Sequence, residues 1–277
     1  MLNVIKSNKE ENLLQALFAV LAEVPEDPFA QEWICIQSRG MKQWISLKTA
    51  EQFGISANFE FLFLRHLINR LLSHFIPFET HKTASEAALS ANPEINPRLE
   101  SDEHDIFWSV MKHIRENRLD KALAGVDAYI KEDDTGKKLF QVSGQIARLF
   151  DDYQLYRPDM LMAWQKGENE QANAPNHPQN HTNNIIQNPA AEWQALLWQK
   201  IAAAHPEDHL AYRATAFLEG FSGGNFDKEG LPERICLFGI SALPELFLRI
   251  LEKVSEVIDI YLFLLTPSNQ FFFDLRS

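Results

Sequence analysis

No phosphate loop occurs in this 277-residue sequence, because the pattern G-x-x-x-x-G-K-[ST] is found nowhere in it. Glycine is scarce, 11 in all, and the first apolar run is followed by Lys6-Ser7-Asn8-Lys9, with no glycine. Without clustered glycines the backbone cannot cradle phosphates, and no Lys-Ser/Thr pair is placed to hold the terminal phosphates and magnesium. ATP hydrolysis is therefore not expected of this chain, and no cofactor is expected in it. No segment reaches the roughly 18 uninterrupted apolar residues that a membrane span needs. The start, Met1-Leu2-Asn3-Val4-Ile5-Lys6, lacks a basic stretch followed by a long apolar one, so no secretory signal is expected. Cysteine is limited to Cys35 and Cys236, both inside apolar runs. They read as buried free thiols, and a cytoplasmic location follows.

Positive charge is also in deficit: 26 Lys and Arg against 38 Asp and Glu give a net charge of −12. A protein that coats duplex phosphates is normally basic, because counterion release drives that affinity. Any nucleic-acid role here must use a local groove, specific side chains or basic surface lent by partners. What is abundant is phenylalanine, 20 residues within a 45% hydrophobic composition, which predicts a substantial core.

Along the chain, residues 2–6 read as a strand, with Ser7-Asn8 offering a helix N-cap and Glu10 and Glu11 suiting the first turn. Leu13, Leu14, Leu17, Val20 and Leu21 continue at helical spacing to about Glu23, and Pro25 and Pro28 break it. Trp33-Ile34-Cys35-Ile36 is a second strand and 41–53 a second helix, closed by Gly54. Near the other end, 234–239 reads as a strand, 243–256 as a helix and 258–265 as a strand. Runs apolar on both faces belong in the middle of a covered parallel sheet, so the two pieces are expected to share one. The fold class is α/β, a parallel sheet flanked by helices. Residues 1–64 and 221–277 form its two segments, and 65–220 form a large helical insertion. Helices are predicted at 65–76, 101–116, 119–131, 137–156, 192–204 and 209–220, with an Asn-, Gln- and Pro-rich mobile loop at about 166–190.

Two groups imitate metal chemistry. Asp102-Glu103-His104-Asp105 resembles a helicase metal-binding box, but Ser101 as N-cap with acids in the first helical turn explains it. His177 and His181 share i,i+4 spacing, yet no cysteine or supporting carboxylate accompanies them in the loop. No Gly-x-Ser-x-Gly elbow or Cys/His nucleophile arrangement occurs either. Neither catalytic residues nor metal ligands are assigned.

Four stretches together resemble the N-terminal region of the RecC family, the gamma subunit of the RecBCD helicase-nuclease (exodeoxyribonuclease V). They are Ser7-Asn8; Gln37-Ser38-Arg39-Gly40-Met41-Lys42-Gln43-Trp44 with Phe53-Gly54-Ile55-Ser56-Ala57-Asn58; Lys138-Leu139-Phe140-Gln141 with Leu149-Phe150-Asp151-Asp152-Tyr153 and Tyr156-Arg157-Pro158-Asp159; and Phe238-Gly239-Ile240-Ser241-Ala242-Leu243-Pro244. The resemblance covers essentially the whole chain, while the family's proteins are several times longer. It implies an inactivated superfamily 1 helicase-like fold, of P-loop NTPase type without the P-loop. It also implies a DNA-handling subunit that splits the duplex, guides the 3′-ended single strand and recognises the regulatory sequence Chi. The implied partners are RecB-type and RecD-type subunits, with ATP and Mg expected on them, together with single-stranded DNA and the duplex fork; no membrane is involved.

Chi reading in the family is carried over to Gln37, Gln43, Leu149, Asp151, Arg157 and Arg213 in this sequence. Gln bonds adenine edges, Arg bonds guanine, and Asp accepts from base amino groups, all exposed on a single strand. The chain departs from the familiar pattern at Arg39 (a small hydroxyl residue expected), Arg148 (an acid), Asp152 (an amide), Phe63 (an aliphatic) and Asn69 (a tryptophan). Arg39 and Asp152 are included among the candidate DNA contacts, and with these departures the chain is expected to recognise a different sequence or to tolerate more. The alternatives are an active ATP-dependent DNA helicase with degenerate motifs, an AddB-type subunit and a pure protein-interaction scaffold.

Overall fold

The structure, a computed structural model, describes residues 1–25, 27, 29–75, 102–116, 123–131, 135–168, 189–203, 206–221 and 230–268. Its elements run β1 (Leu2–Ser7), α1 (Glu10–Leu21), β2 (Glu32–Ile36), α2 (Arg39–Phe53), β3 (Phe59–Phe63), α3 (Leu64–Phe75), α4 (Asp102–Glu116), α5 (Ala124–Ile130), α6 (Lys137–Tyr156), α7 (Pro158–Lys166), α8 (Pro189–Ala202), α9 (Leu210–Gly220), β4 (Arg234–Phe238), α10 (Glu245–Val254) and β5 (Asp259–Leu265). The chain divides into two compact units, Met1–Leu71 with Leu218–Ser277, and Leu72–Phe217.

The first unit holds a five-stranded sheet in the order β1-β5-β4-β2-β3, with all four pairings parallel. The strands from the two ends of the sequence do share one sheet. β3 is a further strand, outside the sequence reading, laid along β2 so that Ile34 stands opposite Phe61. On one face Ile34 and Ile36 of β2, Cys236 and Phe238 of β4 and Phe263 of β5 pack with Leu13, Leu14, Leu17 and Phe18 of α1 and Ile45 of α2. Removing each such side chain from water contributes about 1.5–3 kcal/mol. The steps β1→β2 and β2→β3 move one way across the sheet and β4→β5 moves the other. Right-handed crossovers therefore send α10 to the face opposite α1 and α2.

Period-two geometry also settles the cysteines. Cys236 stands opposite Ile34 while Cys35 stands opposite Leu237, so the two thiols point to opposite faces. Both are buried and free, and burial pushes each thiol up to about 12.

Local capping differs in part from expectation. Ser7 does not cap α1: its Oγ accepts from Lys9 N at 3.1 Å, and Lys9 is the cap residue, without a side-chain bond. The hydroxyl is used up in a turn one step early. α2 begins at Arg39, where Ser38 Oγ accepts from Met41 N at 3.2 Å, and it ends on Gly54 at φ +81°, the left-handed closure glycine suits. The acid inside β3 also has a partner. Arg70 of α3 ion-pairs with Glu60 and lies over the Trp33 ring at 4.0 Å.

In the second unit, Val110 and Ile114 of α4, Ile146 and Phe150 of α6, Leu161 of α7 and Leu197 and Trp198 of α8 share one core. α7 lies outside the sequence reading. Arg157 does end α6, but Pro158 occupies the first turn of a new helix, where its missing N–H costs nothing. α8 likewise starts at Pro189 rather than 192, so the predicted loop is shorter at that end; residues 169–188, with His177 and His181, lie outside the described residues. Ser101 lies outside them too, and α4 opens at Asp102. Just before α9, His209 accepts from Tyr212 N at Nδ1 (3.1 Å), so Nε2 carries the proton and faces Gln165 Oε1 at 2.7 Å. Burial lowers this imidazole to about 4.

Candidate functional site

In open α/β sheets, ligands gather outside the carboxyl ends of strands where adjacent connections leave toward opposite faces. β2 and β4 are such neighbours: the chain leaves β2 toward β3 and leaves β4 toward β5. Gln37 follows β2 directly, and Ser241 lies in the turn after β4. Gln37 Nε2 donates to Ser241 Oγ across 3.0 Å. The β4 turn is itself held close. Gly239 has φ +66°, its N–H donates to Phe263 O at 3.1 Å, and a β-carbon there would meet Met41 Cε at 3.5 Å.

Beside this switch point lies a cleft of about 480 Å³, lined by Ile36, Arg39, Lys42, Gln43, Ser46, Phe61 and Phe63. α2 supplies Arg39, Lys42, Gln43 and Ser46 from successive turns of one side, and the edge strand β3 supplies the two rings. Lys42 Nζ sits 5.6 Å from the Phe61 ring centre, and Phe63 is partly open to water at 38%. The lining holds two cations, an amide, a hydroxyl and two aromatic rings, with no carboxylate. On a chain of net charge −12 this is a locally cationic surface. Cations attract phosphates, ring faces stack bases, and the amide bonds a base edge.

Of the candidate residues, Arg39 and Gln43 thus come together in the cleft, with exposed Gln37 beside them. The others belong to the second unit. Leu149, Asp151 and Asp152 lie on α6; Leu149 and Asp151 are half-buried and Asp152 is exposed. Arg157 is the residue between α6 and α7. Burial raises the Tyr153 phenol above its ordinary value, offset in part by the Arg157 charge, and the phenol donates to Gln194 Oε1 at 3.1 Å. Arg213 is placed differently from a surface base reader. It is 3% exposed on α9 and donates from Nη2 to Ser73 Oγ at 2.8 Å. Among the described residues, no group of three or more His, Cys, Asp and Glu is arranged to hold a metal.

Lys42, Ser46 and Phe61 are site residues that sequence reasoning misses. The signal is present in part, since Arg39, Lys42, Gln43 and Ser46 fall at helical i, i+3, i+4 and i+7 spacing. Phe61 and Phe63 enter only once β3 is known to pair with β2.

Fold and site define a class: an all-parallel α/β protein whose first turn lacks a glycine loop and which carries a cationic, aromatic-lined cleft beside β2. The family "RecC, N-terminal domain" matches residues 2–277, and the chain belongs to it. The chain is similar to the RecBCD enzyme subunit RecC of Haemophilus influenzae, at 33% identity over 97% of this chain and 23% of that protein. It is similar to the same subunit of Escherichia coli, at 29% over 100% of this chain and 22% of that protein. The RecBCD enzyme subunit RecC of Mycolicibacterium smegmatis is 24% identical over 97% of this chain and 21% of its own length. The chain spans between a fifth and a quarter of these relatives.

Proposed function

We propose that this chain is part of a non-catalytic DNA-handling subunit of a RecBCD-type complex acting in double-strand break repair by recombination. Residues 1–64 and 221–277 form an inactivated helicase-like domain into which 65–220 are inserted as a helical subdomain. The protein works in the cytoplasm with RecB-type and RecD-type subunits, which supply the ATP and magnesium chemistry; its own chain uses no cofactor. It helps split the duplex, guides the 3′-ended strand and reads Chi. The observation that carries the reading is the cleft of Arg39, Lys42, Gln43, Ser46, Phe61 and Phe63, which lies beside the carboxyl end of β2, next to the switch point where this fold class binds ligands. The match to the RecC N-terminal domain and the names of the relatives point the same way.

In that reading Gln37, Arg39 and Gln43 contact bases, while Leu149, Asp151, Asp152 and Arg157 contact them from the helical unit. Arg213, carried over with them, is buried on α9 and bonded to Ser73, so its part in base reading rests on the family resemblance alone. Arg39 is a cation with a flat, bidentate donor set, which suits a guanine edge. The test uses the intact subunit assembled with its RecB-type and RecD-type partners. Cleavage end-points on random-sequence duplex are mapped for wild type, Gln43→Ala and Arg157→Ala. Sequence-dependent cutting in wild type, lost in both variants while unwinding persists, is the expected outcome. Variants that cut like wild type would remove the base-reading role.

A further inference from the structure

The second unit carries an aromatic and cationic surface whose residues are neither in the cleft nor among the candidate base contacts. α4 and α6 pack with the Phe107 ring beside Gly144, where an added β-carbon would make ordinary contact with the ring at 3.8 Å. Around that contact two large rings are left open to water, Trp108 at 58% and Phe140 at 55%. Their ring centres lie 4.9 Å and 5.0 Å from that of Phe107, so the exposed rings are at most a few nucleotide steps of an extended strand apart. Tyr129 of α5 adds a third exposed ring, at 51%, with Lys138 Nζ 5.4 Å from its centre.

Cations outnumber acids along the middle of both helices, although Asp105 stands one turn before Trp108 and Asp127 lies on α5 with Tyr129. From Ile106 to Arg115, α4 carries Lys112, His113 and Arg115 and no acid, its acids being confined to the first turn and to Glu116. From Lys137 to Phe150, α6 carries Lys137, Lys138 and Arg148, again with no acid. Lys112 follows Trp108 by one helical turn, and Lys137 precedes Phe140 by one, so each exposed ring has an exposed cation on its own side. In a chain with twelve more acids than bases, such a sector does not follow from composition.

We infer that the outer surface of α4 and α6 binds single-stranded nucleic acid, with Trp108 and Phe140 stacking on bases and Lys112 and Lys137 holding the flanking phosphates. Ring faces accept any base, so this contact is sequence-tolerant, unlike a base-edge reader. A buried core would have drawn these rings inward. A protein partner would be seated by apolar rings too, but the cation beside each ring matches the alternation of base and phosphate along a strand.

The test uses the intact protein and an oligothymidylate bearing 5-iodouracil. Photocrosslinks are expected in peptides containing Trp108 or Phe140. Trp108→Ala and Phe140→Ala should each weaken oligothymidylate binding about tenfold, while the ring-keeping Trp108→Phe and Phe140→Tyr should bind close to wild type. Lys112→Gln and Lys137→Gln should each reduce the salt slope of binding by about 0.7. Circular dichroism and urea midpoints keep unfolding apart from loss of contact. If all four ring variants bind alike and no crosslink maps to α4 or α6, the inference is overturned. It is equally overturned if Trp108→Ala abolishes subunit assembly but leaves oligothymidylate binding unchanged, since the surface would then dock protein. Arg39→Ala with Lys42→Ala, assayed in parallel, separates this surface from the cleft. Loss in the ring variants alone supports α4–α6 and removes the cleft from strand binding, and loss in the cleft variant alone does the reverse.

Discussion

Gln37 Nε2 donates to Ser241 Oγ across 3.0 Å and so ties the turn after β2 to the turn after β4. Both side chains are exposed, so the bond competes with water and its net worth lies toward the lower end of about 0.5–1.5 kcal/mol. Its consequence is positional, because it holds one rotamer of Gln37 at the switch point. Ser241→Ala should shift the urea midpoint by the equivalent of no more than about 0.5 kcal/mol. It should nevertheless weaken single-strand binding, by less than Gln37→Ala, which also removes the base contact. In the double variant the two losses should not add, because they break the same contact. Additive losses in a double-mutant cycle would show that the two residues act separately.

The two cations of the cleft have a different signature. A cation that neutralises a phosphate releases a counterion, so its loss changes how binding depends on salt. Lys42→Gln should lower the slope of log K against log salt by about 0.7 for a single strand, and Arg39→Gln by less, because Arg39 is assigned a base edge. Phe63→Ala should reduce affinity with an unchanged slope, since stacking releases no counterion. Titrations of oligothymidylate at several salt concentrations check both. Parallel lines for wild type and the two cation variants would remove phosphate contact from the cleft.

The legible parts of this fold are those whose signal is local. The runs at β1, β2, β4 and β5 are apolar enough to mark a covered parallel sheet, and Gly54 marks a helix end. β3 escapes because Glu60 interrupts its apolar run and no turn residue separates Phe63 from Leu64. The partner of that acid, Arg70, lies ten residues on, in the next helix. α7 escapes because Arg157-Pro158 reads as a stop, although proline is equally a helix start. The cleft is legible only on its α2 side, since its other wall is β3. The burial of Arg213 is within reach of pattern alone: Leu210, Arg213, Ala214 and Phe217 fall at i, i+3, i+4 and i+7, the spacing of a buried stripe.

Gly239 should resist substitution. Its φ of +66° is open to glycine at little cost, and Met41 Cε would stand 3.5 Å from an added β-carbon. The contact is ordinary, so the penalty is conformational. Gly239→Ala is expected to destabilise by about 1–2 kcal/mol, and Gly239→Asn by less, because Asn tolerates the left-handed region better. Urea unfolding of the three proteins measures it. Equal midpoints for Gly239→Ala and wild type would mean that the turn relaxes.

Cys35 and Cys236 should be silent in the folded protein. Burial raises both thiols to about 12, so almost no thiolate is present at neutral pH, and no reagent path reaches side chains only 0% and 1% exposed. Ellman's reagent should titrate neither until denaturant unfolds the sheet, after which it should titrate both. Mild oxidation should form no intramolecular bond, because the two side chains leave adjacent strands on opposite faces. Fast reaction of either thiol under native conditions would show that the sheet opens locally.

His209 sets the acid limit of the helical unit. Its imidazole is neutral in the folded state, with Nδ1 accepting from Tyr212 N and Nε2 facing Gln165 Oε1. Protonation would destroy the acceptor and place a charge beside Trp198, whose ring centre lies 5.1 Å away. The folded group titrates at about 4, against an ordinary 6.5 in the unfolded chain. Because the folded value is the lower one, the stabilisation is complete above about 6.5 and is lost as pH falls toward 4. At 1.36 kcal/mol per unit, the full loss is about 3 kcal/mol. Asn at this position keeps an oxygen able to cap α9 but cannot take up the proton. His209→Asn should therefore be less stable than wild type at pH 7 and should approach it at pH 4. The comparison is made by urea unfolding followed through tryptophan emission. Parallel pH profiles for the two proteins would mean that another group governs the acid transition.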